Sequence, residues 1–100
     1  MKVDIDQDGT FKYVQIELTP IPASNPNAKP FIVVRGHLAC EFHADTFAKF
    51  RDTELDTNKW EAECPGGGRI EISKENKTIK IYGYSTHFGQ ADHQLTQDLI

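Results

Sequence analysis

Histidines at positions 37, 43, 87 and 93 and cysteines at 40 and 64 are the side chains of this chain best suited to nucleophilic, acid–base or metal chemistry. His43 is the strongest candidate. It opens the stretch HADTFAKFRDTEL, in which Ala44, Phe47, Ala48, Arg51 and Leu55 recur at helical spacing. A histidine at such a point stands beside backbone N–H groups that have no intrahelical acceptor, an environment that attracts anions and disfavours an imidazolium. The ring is therefore expected to stay neutral and nucleophilic near neutral pH. A neutral imidazole beside a ready anion site is the combination that phosphoryl transfer needs.

Other arrangements fit their chemistries less well. Asp4, Asp6, Asp8 and Gly9 match the first half of a calcium loop, but Gln15 stands where that loop needs a bidentate carboxylate, and too few residues precede Asp4 for an entering helix. His37, Cys40, His43 and Cys64 as zinc ligands would require a strand end, a loop and a helix start to converge, without the close cysteine pairs of structural zinc sites. In GYSTH, His87 replaces the second glycine of a nucleophile elbow. Gly66, Gly67 and Gly68 lack the spacing and the following Lys and Ser/Thr of a phosphate loop. Three successive glycines are nevertheless costly in a strand, so they imply a bulge or the close approach of another segment or a ligand. Arg69, directly after them, presents a planar fork suited to phosphate or carboxylate.

The elements that must position these residues can be read from periodicity. From Thr10 to Leu18 the chain alternates, with Phe11, Tyr13, Gln15 and Glu17 on one face and Lys12, Val14, Ile16 and Leu18 on the other. This predicts a strand with the second face in the core and Lys12 at its rim. TPIPASNPNAKP reads as a surface connection, and FIVVRG as a strand buried on both faces that ends near Arg35 and Gly36. Ile70 and Ile72 alternate in one further strand and Ile79 and Ile81 in another, joined at KENK as an antiparallel hairpin. Ala91, Leu95 and Leu99 mark a second helix. The expected class is α+β: one domain over residues 1–100, with a mostly antiparallel, mixed sheet of about five to six strands flanked by two helices.

Composition narrows the function classes. A chain of 100 residues with 38% hydrophobic and 26% charged residues is an ordinary globular domain. Its longest apolar run, Phe31 to Val34, predicts no membrane span, and its charged start lacks a secretory apolar core. Two unpatterned cysteines fit a reducing compartment, so a cytoplasmic location is expected. A net charge of -4 argues against a nucleic-acid surface, and any anion site must be local.

Four blocks in order, DIDQDGTFKYVQI, RGHLACEFHADTF, CPGGGRI and YGYSTHFGQADH, resemble the protein histidine phosphatase family, also called Janus/Ocnus. The resemblance runs from about Val3 to Ile100 and omits only the proline-rich connection. It implies a small α+β domain that removes phosphate from phosphohistidine in proteins and peptides without a metal or other cofactor. Carried onto this chain, the family's catalytic histidine is His43, its substrate-binding lysine is Lys12, and the arginine after the triple glycine is Arg69. Phosphate would also meet the backbone of Ala44 and the loop Ser85, Thr86 and His87. Two departures stand out. His87 occupies a place where the family usually carries a small residue, and relatives continue beyond Ile100 with the rest of the helix and a final strand. Without that strand an open sheet edge is expected, so that a largely monomeric protein has a route to association. The rival reading from another class is a non-catalytic module that holds a phosphorylated peptide or other anion in the same pocket.

Overall fold

The computed structural model describes residues 2–21 and 29–100, so the middle of the proline-rich connection lies outside the described residues. The strands are β1 (Val3–Ile5), β2 (Gly9–Pro20), β3 (Phe31–Gly36), β4 (Trp60–Ser73) and β5 (Thr78–Tyr82), and the helices are α1 (His43–Thr53) and α2 (His93–Leu99). They build one five-stranded sheet in the order β1-β3-β2-β4-β5. β1 runs parallel to β3, and every other pairing is antiparallel. The α+β architecture expected from the sequence is the one observed.

β2 lies at the centre of the sheet, and this corrects the expectation that only one of its faces is in the core. Val14, Ile16 and Leu18 are buried as expected, but Phe11, Tyr13 and Gln15 on the opposite face are buried as well. The reason is that the two helices cover opposite faces. Neighbouring residues of a strand point to opposite sides, and a side chain on Gly67 would run into His43 of α1, whereas one on Gly68 would run into His93 of α2. Two apolar clusters result. Val14, Ile16, Leu18, Val33 and Phe50 lie under α1, and Phe11, Tyr13, Val34, Ile70 and Ala91 lie under α2. At roughly 25 cal/mol per Å² of apolar surface removed from water, both layers contribute to a domain of this size.

β4 is longer than the alternation around Ile70 predicts, because a bulge changes its phase. Gln15 pairs with Gly66, but Glu17 pairs with Glu63, so β4 carries one extra residue between these pairs. Pro65, which has no N–H to offer the ladder, falls in this interval. Below the bulge Trp60, Ala62 and Cys64 pack on the α1 side; above it Gly67 takes over that face. Burial pushes the Cys64 thiol up to about 11, so it is inert at neutral pH.

α1 is pinned at both ends. The Asp45 carboxylate accepts from the Phe42 N–H at 3.1 Å, half of a capping box in the first turn. At the other end, buried Arg35 of β3 grips Glu54 through two bonds of 2.9 and 3.0 Å and lies against the Phe50 ring. Those guanidinium bonds hold the Glu54 carboxyl below its usual range. The acidic turn serves the fold: Asp6 accepts from the Leu38 N–H and lies 3.6 Å from His37 Nδ1, and Asp8 accepts from the Lys74 N–H at 2.9 Å. β1, three residues paired with a strand far along the chain, has no periodic signal of its own and was not expected. Among the described residues no helix is long and apolar enough to cross a membrane.

Candidate functional site

His43 is the first residue of α1, and its ring lies against the glycine segment of β4. A Cβ on Gly67 would stand 2.6 Å from His43 Cδ2 and 2.7 Å from the Tyr13 carbonyl oxygen, so only glycine admits the imidazole here. Nε2 is 2.8 Å from the Gly68 carbonyl oxygen. A carbonyl can only accept, so in this contact Nε2 carries the hydrogen and Nδ1 holds the lone pair of the neutral ring. Nδ1 has no hydrogen-bond partner among the described residues and is not one of their fully buried atoms. Burial first, and then the positive charges of Lys12 and Arg69, lower the proton affinity of the ring, while the bond to Gly68 works the other way. The neutral form expected from the helix position is thus favoured mainly by desolvation.

A cleft of about 400 Å³ opens beside this ring, lined by Lys12, Phe42, His43, Ala44, Ser85, Thr86 and His87. Six of the seven residues singled out in the sequence therefore meet at one concavity. Phe42 joins them; it was not singled out, although it lies within the block that carries the resemblance. It is largely exposed, and the Lys12 ammonium sits 5.0 Å from its ring centre. Arg69 does not line the cleft. It pairs across the sheet with Lys12 and borders a neighbouring hollow on the other side of that lysine.

The loop between β5 and α2 supplies the far wall. Gly83 takes a positive φ of 76°, and Ser85 and Gly89 then bond to each other in both directions, at 3.0 and 2.8 Å. The Ser85 N–H is spent on Gly89, whereas its hydroxyl accepts from the Phe88 N–H and so keeps its own hydrogen to donate to an anion. The N–H groups of Ala44, Thr86 and His87 make no backbone bond among the described residues. Phe88 anchors the loop, packing edge-on against Phe47 of α1 and against the His87 ring. No group of three His, Cys, Asp or Glu side chains among the described residues comes together as a metal site would require.

A second histidine, assigned no role from the sequence, stands on the opposite face. His93 opens α2, and its Nε2 lies 2.8 Å from the Gly83 carbonyl oxygen, so its Nδ1 accepts from the Tyr13 hydroxyl at 2.6 Å. Tyr13 in turn accepts from the Thr96 hydroxyl, and Thr96 accepts from Gln15 Nε2. Gln15 also spans to the Asp92 backbone in both directions, at 2.7 and 3.2 Å. This buried chain fixes Gly83, the residue at which the loop toward the cleft begins. Tyr13 and Gln15 alternate with the apolar face of β2, and reading them as the solvent side concealed the network.

The sequence that builds this fold and its histidine cleft matches a family model along its length. The family model described as Janus/Ocnus family (Ocnus) covers residues 1–100, and the chain belongs to that family. Among curated proteins, the sex-regulated protein janus-A of Drosophila pseudoobscura pseudoobscura is 44% identical over 91 residues, 91% of this chain and 60% of that protein. The 14 kDa phosphohistidine phosphatase of Homo sapiens is 40% identical over 99 residues, 98% of this chain and 78% of the relative, and that of Sus scrofa is 39% identical over the same shares. The chain thus spans 60% of the length of the janus-A protein and 78% of the phosphatases.

Proposed function

We propose that this chain is a metal-independent phosphatase that hydrolyses phosphohistidine in proteins or peptides, with His43 as the reacting group. The observation that carries the reading is the lone pair on His43 Nδ1, without a hydrogen-bond partner among the described residues, on a residue that lines a cleft together with Lys12, Ala44, Thr86 and His87. The names of the human and pig relatives point to the same activity.

Phosphohistidine protonated on its second ring nitrogen leaves as neutral imidazole, so the leaving group needs no Lewis acid. Nδ1 of His43 attacks phosphorus in line as the bond to the substrate nitrogen breaks, and water then releases inorganic phosphate from phospho-His43. Phosphorylation would make the His43 ring cationic, and the Gly68 carbonyl that already accepts from Nε2 is placed to stabilise that charge. In the alternative route Nδ1 takes a proton from the attacking water. Charge on the equatorial oxygens is met by Lys12 and by the amides of Ala44, Thr86 and His87. Removing one such donor, as in Lys12→Ala, is expected to cost roughly 10²- to 10³-fold in turnover.

Release of phosphate from a phosphohistidine peptide in the presence of chelator tests the reading. Saturable binding without release would replace it by the non-catalytic module, and acid-labile phosphate trapped on His43 during turnover would select the covalent route. In the same reading the cytoplasm is the compartment and no nucleic acid or lipid surface is a partner. β1 and β5, the edge strands of the described sheet, are where two copies would associate.

A further inference from the structure

Lys12 and Arg69 stand directly opposite each other on β2 and β4, so their side chains leave the same face of the sheet one strand spacing apart. Like charges in that relation are unfavourable. The ion pairs of the described residues join Arg35 to Glu54, His37 to Asp6 and Arg51 to Asp52, and none reaches Lys12 or Arg69. The chain carries 15 acidic residues against 11 Lys and Arg, so two adjoining cations that form no ion pair among the described residues run against its composition. Both border a hollow of about 290 Å³, and Lys12 is the wall between it and the His43 cleft. The hollow is bordered further by the Thr10 hydroxyl residue, by exposed, apolar Leu38 and by exposed Glu41.

An aliphatic stem ending in a carboxylate fits these walls: methylenes against Leu38, oxygens on the Arg69 fork and the Lys12 ammonium. We infer that the hollow is a subsite for a glutamate or aspartate side chain lying within one or two residues of the phosphohistidine in the substrate polypeptide. An extended peptide advances about 3.3 Å per residue, so such a neighbour spans the single side-chain wall between cleft and hollow. Arg69 is then a specificity-determining residue that reads the sequence beside the phosphoryl group, which accounts for its place outside the cleft. The inference rests on the phosphatase reading above.

Three phosphohistidine peptides that differ only in carrying Glu, Gln or Lys at the flanking positions test it through kcat/KM. The unmodified chain is expected to prefer Glu over Lys by about tenfold or more, the scale of one charge-assisted hydrogen bond at a partly open site. The ratio should shrink as salt rises. Arg69→Gln should bring it toward one, and Arg69→Glu should reverse it. Glu41→Gln, at an exposed position of the same hollow, should widen it and keeps the test decisive should an Arg69 variant fail to fold. Equal kcat/KM for the three peptides, or a Glu preference untouched by both Arg69→Gln and Glu41→Gln, overturns the subsite. Turnover of the Gln peptide without any preference would sink the subsite alone, whereas no turnover of any peptide sinks the phosphatase reading with it.

Discussion

The two helices begin alike and end up in opposite roles. α1 opens HADT and α2 opens HQLT, each a histidine in the first position and a threonine three residues on. Each histidine packs on one glycine of β4, from opposite faces of the sheet, and each gives Nε2–H to a backbone carbonyl 2.8 Å away. The difference is at Nδ1. On the α2 face the Tyr13 hydroxyl occupies it, and Thr96 is bonded into the same chain; on the α1 face neither Nδ1 nor the buried Thr46 hydroxyl has a hydrogen-bond partner among the described residues. A fully satisfied network rigidifies, whereas a ring with one free lone pair can react. The same local start therefore serves as a strut on one side and, in the proposed function, as the reagent on the other.

The sharpest way to break this contrast is to remove each ring. His43→Ala is expected to lower turnover by at least about a thousandfold with little change in thermal midpoint, because in the proposed function the lost group does the acid–base or nucleophilic work. His93→Ala should do the reverse, costing about 1–3 kcal/mol through the stranded Tyr13 hydroxyl and a far smaller loss of turnover. Parallel kinetics and melting curves decide it, and equal losses of turnover in the two variants would end the distinction.

Next in size are the glycines that seat the rings. Gly67→Ala pushes His43 away from its position and is expected to cost about a hundredfold in turnover, as displacements near 1 Å do. Gly68→Ala presses on His93 and the Tyr82 carbonyl instead, so its main effect should be on stability, about 1–3 kcal/mol by denaturant titration.

A pH profile sharpens the comparison further. His43 takes up a proton less readily in the folded protein than the usual 6.5. The reactive neutral ring should thus persist below pH 6.5, with the acid limb of kcat/KM lying on the acidic side of that value. The sign for stability agrees: an unfolded chain binds this proton first, so the contribution from His43 is whole above 6.5 and is lost as pH falls from there to the folded value. An acid limb above 6.5 would contradict the desolvated, cation-flanked ring.

The smallest expected effect separates the threonines. Thr46→Val removes a buried hydroxyl that bonds to nothing among the described residues and should be neutral or stabilising by about 1 kcal/mol. Thr96→Val breaks the chain from Gln15 to Tyr13 and should destabilise by about 1–3 kcal/mol. Urea midpoints measured side by side would show whether the two faces differ in this way.

Much of the frame was legible in the residues, because strand and helix periods are local. The alternation of β2, the apolar run of β3, the hairpin of β4 and β5, and the helical spacing after His43 all depend on neighbours in sequence. The position of His43 at a helix start followed from the same local pattern, whereas the neutral ring owes most to burial, which distant segments set. Less was legible where the cause lay far along the chain. Tyr13 and Gln15 read as a wet face because their partners His93, Thr96 and Asp92 are distant in sequence. β1 was hidden for the same reason, and the phase change at Pro65 interrupted the alternation that would have extended β4.

By itself, then, the amino-acid order determined the class of fold, the helix start that carries His43, and the need for something to lie against Gly66, Gly67 and Gly68. Only the tertiary structure decided what lies there: the rings of His43 and His93 on opposite faces of adjacent glycines, one Nδ1 engaged and the other open. It also moved Arg69 out of the cleft by one side-chain width, although the residue follows the glycines directly. The physical reason is that periodicity reports which way a side chain points, whereas reactivity depends on what meets it there, and that is set by sheet order and register between segments far apart in sequence.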